Sequence, residues 1–139
     1  MDKLMSHRFP AWILAALILI LFVVQAVAAY RHLYFFIWWL DIPMHLFGGA
    51  WVALFCLSFY YASSRIVEKE HSEMFVIVFA IALTFSVGLL WEVYEFGVDH
   101  AVGDSSLSLA DTLKDLVDDL AGAFLAAWVF IHFGYNRKQ

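Results

Sequence analysis

Hydrophobic residues along this 139-residue chain fall into four long runs, not into an alternating pattern. A helix needs about 20 mostly apolar residues to cross about 30 Å of hydrocarbon. The first run extends from about Phe9 to Ala29, with Gln25 its only strongly polar side chain. The second, from about Asp41 to Ala62, carries no charge after Asp41 unless His45 is protonated. The third begins near Glu73 and is uncharged from Met74 to Trp91. The fourth starts near Ala110, places acids in its first turns and is uncharged from Leu120 to Tyr135. Continuous apolar runs argue against a transmembrane β-barrel, whose strands alternate in polarity. The pattern predicts an all-α polytopic membrane protein, with four transmembrane helices in one bundle domain over residues 1–139. Ala26-Val27-Ala28 has the look of a signal-peptide cleavage site, but the apolar core before it is longer than the usual 7–15 residues or so. The first run is therefore read as a retained helix. Between runs one and two, Tyr30, Tyr34, Phe35, Phe36, Trp38 and Trp39 suit an aromatic belt at headgroup level. Packing between helices is the alternative.

Composition narrows the class further. Hydrophobic residues make up 64% of the chain, against about 45–50% in a soluble domain, and charged residues only 15%. A soluble enzyme, a disordered chain and a nucleic-acid binder with a basic face are all excluded as readings. Two prolines and a single cysteine leave no Pro-rich linker and no disulfide framework. Charge also orients the chain. Lys3, Arg8, Arg65, Lys69, Arg137 and Lys138 share one side of the predicted bundle, and only Arg31 and Lys114 fall on the other. The positive-inside bias places both termini of a multi-pass membrane protein in the cytoplasm. Nine of the thirteen acids then lie on the outer side.

Three short motifs fall at the outer ends of runs two, three and four. Asp41 and His45, four residues apart, share a helical face, with Gly48 and Gly49 just beyond. Glu92 and Glu95 share another, which Asp99 extends by a turn. On the fourth helix Asp111, Asp115, Asp118 and Gly122 fall within about 60° of one another, with Asp119 flanking them. Asp41 and Asp111 could each act only as helix caps, and His45 as a hydrogen-bonded core histidine. Several acids at one depth nevertheless cannot all stay ionised without a counter-charge. Shared protons, a bound cation and an aqueous vestibule are the three resolutions. Carboxylates with one imidazole suit Mn²⁺, Fe²⁺ or Zn²⁺, and Mg²⁺ where water fills most positions. The expected metal ligands are Asp41, His45, Glu92, Glu95, Asp111, Asp115 and Asp119, with Gly48, Gly49 and Gly122 letting the helices approach closely.

These blocks resemble the YjdF-like bacterial inner-membrane family, whose pattern is Asp-x-x-x-His-x-x-x-Gly, Glu-x-x-Glu and Asp-Thr-x-x-Asp-(Leu/Met)-x-x-x-x-x-Gly-Ala. The matching residues are Asp41, His45 and Gly49; Glu92 and Glu95; and Asp111, Thr112, Asp115, Leu116, Gly122 and Ala123. A looser likeness reaches the VanZ-like proteins, linked to glycopeptide resistance, with Asp-Lys-x-x-His, Glu-x-x-Gln and Asp-x-x-x-Asn-x-x-Gly blocks. Here Ile42 replaces the Lys, Glu95 the Gln, and an acid the Asn.

Three functions fit the residues. The first is a metal-dependent hydrolase or transferase acting on a lipid or envelope small molecule, with Glu95 or Asp118 as the catalytic base. The second is a module that binds or transports protons or metal ions. The third is a non-catalytic accessory subunit whose acids pair across helices. Expected partners are the lipid bilayer, a lipid or envelope substrate and a second copy in a homo-oligomer, with no nucleic acid.

Overall fold

A computed structural model of the chain describes residues 9–63, 71–102 and 108–136. Its elements are α1 (Ala11–Tyr30), the single turn α2 (Leu33–Phe36), α3 (Asp41–Ala62), α4 (Glu73–Val102) and α5 (Leu109–His132). Lys3, Arg8, Arg65, Lys69, Arg137 and Lys138, on which the orientation reading rests, lie outside the described residues. So does the side chain of Asp99.

Local chemistry accounts for the helix boundaries. Pro10 precedes α1, where its missing N–H removes no intrahelical bond. His32 takes a left-handed conformation (φ 53°) that breaks the chain between α1 and α2. Asp41 is the first residue of α3 and makes no capping bond there, so the cap reading of Asp41 does not hold. Its carboxylate is engaged across the bundle instead. Pro43 sits in the same first turn, where a helix tolerates it. At α5 the cap is Ser108, whose hydroxyl accepts from the Asp111 N–H at 3.1 Å. The apolar run of α4 ends at Trp91, yet the helix continues through Glu92 and Glu95 to Val102.

Among the described residues, three helices are long and apolar enough to cross a membrane: α1, α3 and Glu73–Val98 of α4. The large apolar side chains they leave exposed, such as Phe22, Phe59 and Leu90, suit a lipid surround. Of the aromatic residues around α2, Tyr30 and Phe35 are each 82% exposed and Trp38 78%, whereas Tyr34 is half-buried and packs against α1.

Helix α5 packs between α3 and α4 and has its buried face at Asp115, Leu116, Asp119, Gly122, Ala123, Ala126, Ala127 and Phe130. The stripe therefore turns on Asp115, Asp119 and Gly122, whereas Asp111 lies exposed. Leu57, Val76, Ala80 and Phe130 form the core toward the other end of the bundle. Helix α1 packs on α3, where the Trp51 indole N–H donates to the Leu14 carbonyl at 2.8 Å, and it makes no extensive contact with α4.

Glycines set how closely these helices approach. A methyl group at Gly49 would overlap the Asp119 backbone, and one at Gly122 would overlap the Leu46 carbonyl. The α3 and α5 backbones thus touch directly where they cross. Gly88 of α4 meets the Asp119 side chain, a Cβ there lying 2.7 Å from Oδ2. Gly48 differs from the expectation: a Cβ there meets nothing within 4 Å, so it faces open space and not a neighbouring helix. Gly122→Ala should therefore lower the thermal midpoint in detergent, by about 1–3 kcal/mol of overpacking. Gly48→Ala should hold or raise it, by up to about 1 kcal/mol of helix propensity; equal effects of the two would contradict this packing.

Candidate functional site

His45 is the centre of the acidic region. One turn into α3 and only 7% exposed, its Nε2 lies 3.5 Å from Asp41 Oδ1 and 3.9 Å from Asp115 Oδ1. Its Nδ1 lies 3.4 Å from Asp119 Oδ1. Asp41 comes from the preceding turn of the same helix, and Asp115 and Asp119 from the buried face of α5. Glu92 and Glu95 approach from α4. Two groups of side chains could hold a metal ion: Asp41, His45 and Asp115, and His45, Glu92 and Glu95. In each, one ligand atom per residue lies within 4.8 Å of the others.

Lys114 is the local counter-charge. Its ammonium donates to Asp41 Oδ2 at 2.7 Å and also to Asp115 Oδ1, and it lies 3.8 Å from Asp111 Oδ1. Sequence reasoning counted Lys114 only as one base among many acids. Its spacing from Asp111 and Asp115 was visible, but its partner on α3 is 73 residues away. The ammonium forms no ion pair with Glu92, Glu95 or Asp119 among the described residues. Arg31, the other outer base of the sequence reading, forms no ion pair among the described residues.

Six of the expected residues come together: Asp41, His45, Glu92, Glu95, Asp115 and Asp119. Asp111 stands at the exposed rim, reaching the cluster only through Lys114. Asp118 belongs to neither group, although its Oδ2 is buried without a hydrogen-bond partner. Glu92 is 8% exposed, and its Oε1 is likewise buried and unpartnered.

Beside the cluster is a cleft of about 850 Å³. Helix α3 forms its floor, α1 and α4 its walls. Asp41, His45, Glu95 and Asp119 line one end, together with Gln25 and Tyr34. The Tyr34 hydroxyl donates to the Gln25 side-chain oxygen, tying α2 to α1. Burial, reinforced by the negative charges of Asp41 and Glu95, pushes that hydroxyl above its ordinary pKa, so it stays a donor. The pairing gives the single polar residue of α1 a role that the sequence marked by its isolation but could not assign.

No curated protein and no solved structure matches the chain. The family described as "Predicted membrane protein (DUF2238)" matches residues 3–136, a finding with which the YjdF-like resemblance is consistent. A match over nearly the whole sequence, together with three helices apolar enough to span a bilayer, makes the chain a member of that membrane-protein family.

Proposed function

We propose that this protein holds a divalent cation in its acid cluster and acts there as a hydrolase or transferase on a lipid or envelope molecule. The observation that carries the reading is Glu92. An ionised carboxylate in hydrocarbon costs about 2.5–3.5 kcal/mol even on an insertion scale, and Glu92 is buried with an oxygen that no donor meets. It faces a histidine and a second glutamate within ligand distance of one another. Lys114 pairs with Asp41 and Asp115, not with this group. His45, Glu92 and Glu95 are accordingly the residues that would hold the ion, with Mn²⁺, Fe²⁺ or Zn²⁺ the natural fit and Mg²⁺ where water fills most positions.

When bound, such an ion polarises a phosphoryl or carbonyl oxygen and acidifies water. The protein's own groups supply the rest. Asp119 beside Nδ1 orients the imidazole, as a carboxylate behind a ligand histidine does. Lys114 keeps Asp41 and Asp115 in place. Glu95 lines the cleft and Asp118 does not, so Glu95 is the better placed of the two proposed bases to take a proton from a substrate or water, through a carboxylate oxygen that does not hold the ion. The VanZ-like likeness adds weight to an envelope substrate but not to any one reaction.

The membrane arrangement completes the proposal. Helix α5 crosses as a fourth span, its acids shielded by α3 and α4, with both termini on the cytoplasmic side of the inner membrane. A fluorescent reporter fused after Gln139 should be active, and alkaline phosphatase at the same site inactive; the reverse pattern would invert the topology.

A second reading rests on Lys114, whose bonds to α3 and α5 would serve a purely structural subunit. Cation binding separates the two. Purified protein in detergent should gain about 2.7 kcal/mol of stability at Mn²⁺ concentrations near one hundred times Kd, seen as a rise in Tm. His45→Ala and Glu92→Gln should abolish that rise, and Asp111→Asn should keep it. Absence of any Tm rise or bound Mn²⁺ in the wild type would leave the structural reading. Lys114→Met should lower the Tm on either reading, because it strips Asp41 and Asp115 of their cation.

A further inference from the structure

The cleft beside the cluster is polar at one end and apolar along the rest of its length. From the acid end it runs along α3 from Asp41 to Val52, along α1 from Gln25 to Ala15 and along α4 from Glu95 to Thr84. Each wall covers eleven or twelve residues, roughly 15–17 Å at the helical rise. That equals half of the approximately 30 Å hydrocarbon thickness, the depth of a single leaflet. Away from the acid end the only polar side chain among the described lining residues is Thr84. Helices α1 and α4 make no extensive contact, which leaves the cleft unsealed between them on the side that would face lipid.

We propose that this cleft holds the tail of a phospholipid from the leaflet on the acid side, with its phosphoryl head group at the cluster. The length and lining of the cleft favour a lipid tail over a helix. The cleft ends about half-way through the bilayer, as one acyl chain does, whereas a transmembrane helix of a partner would need a groove along the full thickness of about 30 Å. The tail position stands on the cleft alone; the head group rests on the cation reading of the cluster, which bridges an anionic phosphate to acidic side chains. The tail anchors the molecule by hydrophobic burial and sets the depth at which its head group meets His45 and Glu95.

Two substitutions plug the cleft. Gly48→Leu projects into open space, and Val52→Trp fills the far end, about 10 Å along the helix from His45. Native mass spectrometry of the detergent-purified full chain with added dioleoylphosphatidate should show one lipid retained per wild-type chain. Either plug should cut the retained fraction at least tenfold, while Val78→Trp on the exposed face of α4 leaves it unchanged. Manganese binding, followed separately by electron paramagnetic resonance, should be the same in Val52→Trp as in wild type. Retention that ignores both plugs overturns the proposal. So does a dimer that both plugs dissociate, which would make a second copy the occupant. If wild type binds no manganese but the plugs still expel lipid, the tail site stands and the cation reading fails.

Discussion

Direct backbone contact between α3 and α5 is the constraint on which the site depends. Gly49 lies one turn beyond His45, and Gly122 three residues beyond Asp119. Each glycine receives the other helix's backbone where a side chain would otherwise stand. Lipid tails are as apolar as leucine, so apolar burial does little to drive helices together in a bilayer and close packing must do so. A crossing this tight sets the offset of the two helices as well as their separation. It is this offset that puts the Asp115 and Asp119 carboxylates against opposite nitrogens of one imidazole.

That packing creates an electrostatic problem that it does not itself solve. Five carboxylates converge on one histidine at a depth where ionised acids are costly. Lys114 offsets the part of the charge shared between α3 and α5, and it reaches out from the solvent-facing rim to do so. Glu92 and Glu95, delivered by α4, lie beyond its reach. A bundle selected for stability alone would carry apolar residues at these positions, since a buried charge seldom outperforms a well-packed hydrophobe. Charge concentrated on one side of the histidine is therefore a sign of function, in keeping with the rule that local costs collect at functional sites.

The bundle is also asymmetric. Helices α3, α4 and α5 share a core of small residues sealed by Leu57, Val76 and Phe130 at the end away from the acids. Helix α1 joins that core through Leu14, whose carbonyl accepts from the Trp51 indole of α3, and makes no extensive contact with α4. The Gln25–Tyr34 bond ties α2 to α1 at the acid end of the cleft. Rigid packing at one end and an apolar cleft at the other let a single small fold present both the acid–histidine cluster and an apolar groove beside it.

Much of this was open to inspection in the residues alone. Apolar runs of bilayer length dictate helices, because no other backbone arrangement in lipid satisfies its own hydrogen bonds without closing a barrel. Spacings of three and four residues placed Asp41 with His45 and Glu92 with Glu95 on shared faces, and all six residues that converge, five acids and the histidine, were candidates, Asp119 as the neighbour flanking the acidic stripe of the fourth helix. Helical periodicity could not say that Asp119 and not Asp118 meets the histidine, that Gly49 closes a helix contact while Gly48 borders a cleft, or that Lys114 reaches Asp41 across 73 residues. A sequence encodes which side chains share a face of one helix. Which neighbour that face meets depends on the offset and crossing of two separate helices, and those are decided only when their backbones touch.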